Sequence, residues 1–223
     1  MHPATRRFGR RATATTTKRR SFSDVLVVGD SIVWNGISAG IGWLYETGMA
    51  ASSADTDWVT VLGDMLGATM YRPTKDGVCS GAFPTCVDNL ALYSGVDLVL
   101  VMAGEHFLAS TVRLTTIADI NTWCDTIEAF AATEGIPVAY VSRWSETGPP
   151  YLDTGDTIVG NNLLIDRCNG TDRIYVDITN KLNGDSDCFG YPPGGDPGVT
   201  WHPNDQGHRG IANLVYNAIT VVP

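Results

Sequence analysis

A three-layer α/β/α sandwich around a parallel sheet is the fold that this sequence predicts. Three observations predict it. Short β-branched apolar runs recur along the chain, segments of helical hydrophobic spacing alternate with them, and 223 residues without an internal repeat suit one such domain.

The elements follow in order. DVLVVGD (24–30) reads as a first buried strand, because a continuous β-branched run fits a strand covered on both faces. Residues 32–55 are rich in Gly, Ser and Ala, carry Trp34, Trp43 and Tyr45, and read as a long loop beside a cleft. A helix is predicted over 56–67 with Asp55 or Thr56 as N-cap, then a second strand over 68–72. VDLVLVMAG (96–104) is the clearest interior strand. The longest helix is predicted over 115–135, stopped by Gly135. IPVAYVS (136–142), a helix over 156–168 and RIYVDI (173–178) follow. A Gly/Pro-rich loop spans 183–200, and Asn204 caps a last helix whose buried face carries Ile211, Leu214, Val215, Ala218 and Ile219.

Five strands alternating with helices, joined by right-handed crossovers, leave few topologies. The flavodoxin-like order 2-1-3-4-5 is the expected one. Ligands of such sheets bind outside the carboxyl ends of the strands. That rule selects Asp30-Ser31, the 73–86 loop, Gly104-Glu105-His106, Ser142-Arg143-Trp144 and the loop leading to His202.

Charge divides the chain. Residues 1–20 hold seven of the 15 Lys and Arg and no acid, so the rest carries eight bases against 24 acids. Residues 1–22 are therefore expected to form a basic arm, flexible or bound to an acidic partner, and 23–223 the folded domain. The arm has no apolar h-region and is not expected to act as a secretory signal. The acidic body argues against specific nucleic-acid binding by the domain, which needs a basic surface. No apolar run reaches the ~20 residues of a transmembrane segment.

Of five cysteines, Cys79 with Cys86 and Cys168 with Cys188 are candidate disulfides, which favours an extracellular or virion-associated setting over the cytoplasm. Cys124 sits in a helical apolar pattern and reads as a buried free thiol. No CxxC occurs, and no metal site or other cofactor is expected.

Ser31, directly after the first strand in GDSIVWNG, can present its hydroxyl to the cleft, with backbone N–H groups beside it for an oxyanion. By itself it could equally be a helix N-cap. His202, in WHPNDQGH, sits on a proline-stiffened loop before the last helix and can act as general base toward Ser31. His208 reads as a packing or surface residue of that helix, and Asp30 as a support for the turn.

GDS near the start and HPNDQGH near the end resemble the first and last blocks of the SGNH (GDSL-type) hydrolase superfamily. DGVCSGAF is similar to its second block and VLVMAGEH to its third, so the likeness runs from about Val25 to Ile219. The resemblance implies a serine esterase without cofactor. Ser31 would be nucleophile, His202 base, and the N–H groups of Ser31 and Gly81, with His106, the oxyanion hole. It also implies small acyl esters as substrates, such as acetylated polysaccharides or lipids. Trp34, Arg143 and Trp144 could line the substrate cleft. Aromatic faces suit sugar rings and acyl chains alike.

Two departures stand out. His106-Phe107 occupy the place of the family's Asn-Asp, and Val199 stands three residues before His202, where the family has an aspartate. Asp196 is the nearest upstream acid and the candidate third triad member; Asp177 and Asp187 are weaker ones, and a Ser-His dyad is the alternative. Two other readings stay open. GVCSG fits a nucleophile elbow with Cys79 as nucleophile, although Pro73 and Lys75-Asp76 separate it from its strand. A degenerate domain could instead bind glycan or build a virion or surface assembly, tethered by the arm.

Overall fold

The computed structural model describes residues 19–29, 32–33, 55–73, 83–102, 116–143, 155–182 and 203–221. Five strands form one sheet: β1 (Asp24–Gly29), β2 (Thr69–Tyr71), β3 (Leu98–Met102), β4 (Val138–Val141) and β5 (Ile174–Val176). All neighbours are parallel. Their order is β2-β1-β3-β4-β5, the expected one.

Alternation along each strand builds two cores. Val25, Val27, Leu98, Leu100, Ala139 and Val141 face one layer, with α1 (Trp58–Leu66) and α6 (Asp205–Thr220). Leu26, Val28, Val99, Val101, Val138 and Tyr140 face the other. That second layer holds α2 (Phe83–Asp88), the 3-10 turn Leu90–Tyr93, α3 (Ile117–Glu134) and α4 (Gly155–Cys168). A strand sends successive side chains to opposite faces, so both faces must be apolar when both are covered.

β1 and β3 pair residue by residue from Val25↔Leu98 to Gly29↔Met102. The pairing is close where it ends. A Cβ on Gly29 would collide with the Val33 side chain and the Met102 carbonyl. Glycine at this position lets the chain turn tightly over the end of β3, one residue before Asp30 and two before Ser31.

Helix ends explain most differences from the sequence reading. The N-cap of α1 is Asp57, not Asp55 or Thr56. Its Oδ1 accepts the N–H groups of Val59 (2.9 Å) and Thr60 (3.0 Å), and its carboxylate is fixed by Arg72. Gly135 closes α3 in the left-handed region (φ 69°), as expected. Asn204 caps α6 through Gly207 N–H (3.0 Å), again as expected. The strands are shorter than the apolar runs, and past the end of β4 the Ser142 N–H still donates to the Val176 carbonyl (2.9 Å). The short helices α2 and α5 (Thr179–Leu182) and the 3-10 turn were not foreseen.

Ahead of β1, within the segment expected to be an arm, Arg19 bridges Val221 and the Arg20 N–H donates to the Thr220 carbonyl (2.9 Å). Phe22 is buried against the α1/α6 core. Cys86 is disulfide-bonded; Cys79, its expected partner, lies outside the described residues. Cys124 is a buried free thiol. The expected Cys168–Cys188 disulfide is corrected: Cys168 is free, packed at the end of α4 against the second core. No described helix is long and apolar enough to cross a membrane.

Candidate active site at the carboxyl edge of the sheet

Ser31, Trp34, Cys79, Gly81, His106, Trp144, Asp187, Asp196 and His202 lie outside the described residues. Residues on both sides of Ser31 and those that follow His202 are described, and so are Arg143 and Asp177. Gly29 ends β1 and Ile32-Val33 resume after Ser31. Pro203 and Asn204 follow His202 and open α6.

The segments that follow Ser31 and His202 both connect to the N-terminus of α1. Arg72 follows β2 at the carboxyl edge and is buried. Its Nη2 meets Asp57 Oδ1 at 2.7 Å and donates to Thr60 Oγ1 at 2.8 Å, while Nη1 donates to the Val33 carbonyl at 3.4 Å. The pair is almost dry, with side chains 5% and 0% exposed. From the other side, α6 reaches the same helix end. His208 Nδ1 accepts the Trp58 N–H (3.2 Å), and Thr56 Oγ1 donates to Asp205 Oδ1 (2.9 Å). His208 is wholly buried, so of its two expected roles the packing one holds.

A second polar brace lies after β4 and β5. Ser142 is buried, and its Oγ accepts the N–H groups of Ile178 (2.8 Å) and Thr179 (3.0 Å). The Thr179 hydroxyl donates to the Arg143 carbonyl, and the Arg143 N–H donates to Asn161 Oδ1 (3.2 Å). Asn161 Nδ2 in turn reaches Thr179 Oγ1 at 3.1 Å. This ring fixes the backbone of Arg143, the one expected cleft residue that is described, at the edge selected from the sequence. Asp177 follows β5 there, half-buried.

Sequence reading missed Asp57 as cap, Arg72, Asn161 and Thr179, and selected Ser142 only by its place at the carboxyl edge. A weak signal existed: Arg72 and Ser142 each end an apolar run with a polar group at the carboxyl edge. Their partners are far away in sequence and carry no local pattern. A cavity of about 790 Å³ lies at the opposite, amino edge, lined by Arg19, Arg20, Phe22, Pro137 and Arg173 among others. Among the described residues no cluster of three or more His, Cys, Asp or Glu could hold a metal ion.

No protein-family model and no curated protein sequence matches the chain. Solved structures do match its fold. A variant of Axe2, an acetyl-xylooligosaccharide esterase from Geobacillus stearothermophilus, superposes with a TM-score of 0.61 at 14% identity, covering 89% of this chain and 94% of its own. The acetyl xylan esterase AlAXEase gives a TM-score of 0.56 at 15% identity, over 88% and 99% of the two chains. A member of the lipolytic protein G-D-S-L family from Veillonella parvula gives 0.56 at 16%, over 87% and 97%. The chain thus has the SGNH/GDSL hydrolase fold.

Proposed function

We propose that the chain is a serine esterase that cleaves carboxylic esters through an acyl-enzyme. One observation carries the reading. In a fold shared with acetyl xylan esterases and G-D-S-L lipolytic proteins, the segment that follows GDS and the helix that follows the WHP histidine are both bonded to one helix end. Ser31 Oγ attacks the ester carbonyl while His202 takes its proton. The oxyanion is held by the N–H groups of Ser31 and Gly81, with the His106 ring as a further donor. His202 then protonates the departing alcohol. Water, deprotonated by His202, attacks the acyl-enzyme and frees Ser31. Asp196 is assigned to orient His202, since Val199 has no hydrogen-bonding group to do so. Trp34, Arg143 and Trp144 line the substrate cleft.

The substrate class proposed is a small acyl ester, first an O-acetyl group on cell-surface or plant polysaccharide, then a lipid ester. The setting proposed is extracellular or virion-associated, with the basic arm contacting an acidic partner. Hydrolysis of an aryl acetate tests the chemistry. Ser31→Ala or His202→Ala should lower kcat by about 10³-fold or more, and Cys79→Ala should not. Loss with Cys79→Ala alone would move the nucleophile to Cys79. Asp196→Asn should lower kcat about 10²-fold or more; unchanged turnover would leave a Ser-His dyad.

His106-Phe107 and Val199, which depart from the family blocks, favour a second reading, a degenerate domain that binds glycan or builds an assembly. A folded chain that binds acetylated glycan but is never labelled at Ser31 by a fluorophosphonate would select it.

A further inference from the structure

We infer that His208 and the Arg72–Asp57 ion pair are positioning residues of this site, tying the loop after β1 and the entrance of α6 to one point, the N-terminus of α1. The inference rests on the esterase reading of Ser31 and His202.

The first N–H groups of α1 have no carbonyl partner within the helix. Asp57 Oδ1 takes those of Val59 and Thr60. The Trp58 N–H is taken by a side chain of another helix, His208 Nδ1. A histidine that accepts at Nδ1 is neutral, with its proton on Nε2. The end of α1 is therefore complete only when α6 stands in its place.

From this point the contacts run two ways. Toward the nucleophile, the Asp57 carboxylate holds Arg72, and Arg72 donates to the carbonyl of Val33, two residues beyond Ser31. Toward the base, His208 lies one turn into α6. Its N–H donates to the carbonyl of Asn204 (2.8 Å), two residues beyond His202. Thr56 adds a bond to Asp205, next to Asn204.

Burial makes the tie stiff. Asp57 and His208 are 0% exposed and Arg72 4%. Moving Val33 or α6 would break the buried Arg72–Val33 bond or take His208 from the Trp58 N–H, and the loss of buried hydrogen bonds is costly. The sequence also creates a need for stiffness. With Val199 where an orienting acid is expected, the placement of His202 depends more on the backbone that carries it. A misplacement of about 1 Å can cost about 10²-fold in rate.

Four variants of the full chain test the inference. His208→Phe removes the acceptor, His208→Asn returns one through its side-chain oxygen, and Arg72→Met removes the cation. Ile127→Ala opens a cavity in the opposite core and serves as a stability control. Each is assayed well below its melting temperature for p-nitrophenyl acetate turnover and for the rate of Ser31 labelling by a fluorophosphonate. His208→Phe and Arg72→Met should lose about 10- to 100-fold in kcat and labelling rate, with KM within about twofold of wild type. His208→Asn should regain most of the loss, and Ile127→Ala should keep wild-type kcat despite its lower melting temperature. Wild-type turnover in His208→Phe, an Asn variant no better than Phe, or an equal kcat loss in Ile127→Ala would overturn the inference. If Arg72→Met does not fold, the two His208 variants decide. A folded wild-type chain that neither labels nor turns over would instead sink the esterase reading, and this inference with it.

Discussion

Arg72 and Arg167 are both ion-paired arginines that lock helices in place, and their surroundings differ in kind. Arg72 meets the Asp57 carboxylate in a dry pocket under the carboxyl edge. Arg167, on α4, spreads its bonds across α3. It meets Glu128 at 3.0 Å and Asp125 at 2.8 Å, and donates to Asn121 Oδ1 at 2.7 Å. Glu128 also takes Arg173 (2.7 Å) and the Tyr140 hydroxyl (2.9 Å). Asp125 is 71% exposed. The rim cluster is redundant and partly wet, so removing one member leaves the others paired or hydrated. The buried pair is shielded from water, so no hydration stands in when it is broken.

Stability should separate the two most strongly. Arg72→Met takes the guanidinium away from the buried Asp57 carboxylate and should cost about 3–5 kcal/mol in urea unfolding. Arg167→Met should cost about 1–2 kcal/mol, because its partners keep Arg173 or water. Equal losses would mean that redundancy does not protect the rim cluster.

Beneath the rim cluster the core carries a second, smaller signature. Burial pushes the Cys124 thiol from 9.0 to about 11, with Arg167 opposing the shift. Burial also pushes the Tyr140 hydroxyl upward, with contributions from Cys124 and Glu128 in the same direction. A group whose folded pKa exceeds its unfolded value keeps its proton in the fold after the unfolded chain has lost it. Stability is then full below about pH 9 and falls as pH rises toward 11. For Cys124 the fall should be about 1–2 kcal/mol across that window. Cys124→Ala should flatten the alkaline slope of the unfolding free energy, leaving the part due to Tyr140. An unchanged slope would show that the thiol does not titrate there.

The sequence revealed what depends on local pattern and hid what depends on distant partners. Apolar runs located all five strands, and crossover rules ordered them, because burial on both faces writes itself into consecutive residues. Gly135 and Asn204 were legible as helix ends, since caps act within a few residues. Asp57 was not distinguished from Asp55 and Thr56, because the choice is made by Arg72, 15 residues on. His208 finds its acceptor role at Trp58, 150 residues away. Cys168 looked like half of a disulfide, yet its side of α4 packs into the core. For the site, the carboxyl edge and Arg143 at that edge were readable from topology. The buried brace of Ser142, Asn161 and Thr179 was not, because polar residues that satisfy one another inside a fold leave no periodic trace.

The smallest effect gives the sharpest comparison between the two layers. Thr116 caps α3 in the second layer with a reciprocal pair of bonds: Thr116 Oγ1 accepts the Asp119 N–H (3.1 Å), and Asp119 Oδ2 accepts the Thr116 N–H (2.8 Å). Hydrogen bonds from the Thr116 hydroxyl and N–H hold the Asp119 carboxyl below its ordinary pKa. Asn204 caps α6 in the first layer by accepting the Gly207 N–H. Thr116→Ala and Asn204→Ala should each cost about 1 kcal/mol, since the chemistry lost is alike. Their effects on turnover should differ. Asn204 opens the helix that carries His208 and stands two residues after His202, so fraying there should lower kcat a few-fold, roughly what a loss of 1 kcal/mol in transition-state placement gives. Thr116 caps a helix of the opposite layer, and its variant should turn over an aryl acetate at the wild-type rate. If both variants keep full kcat at matched stability loss, the entrance of α6 does not transmit position to the proposed base, and the two layers differ in stability alone.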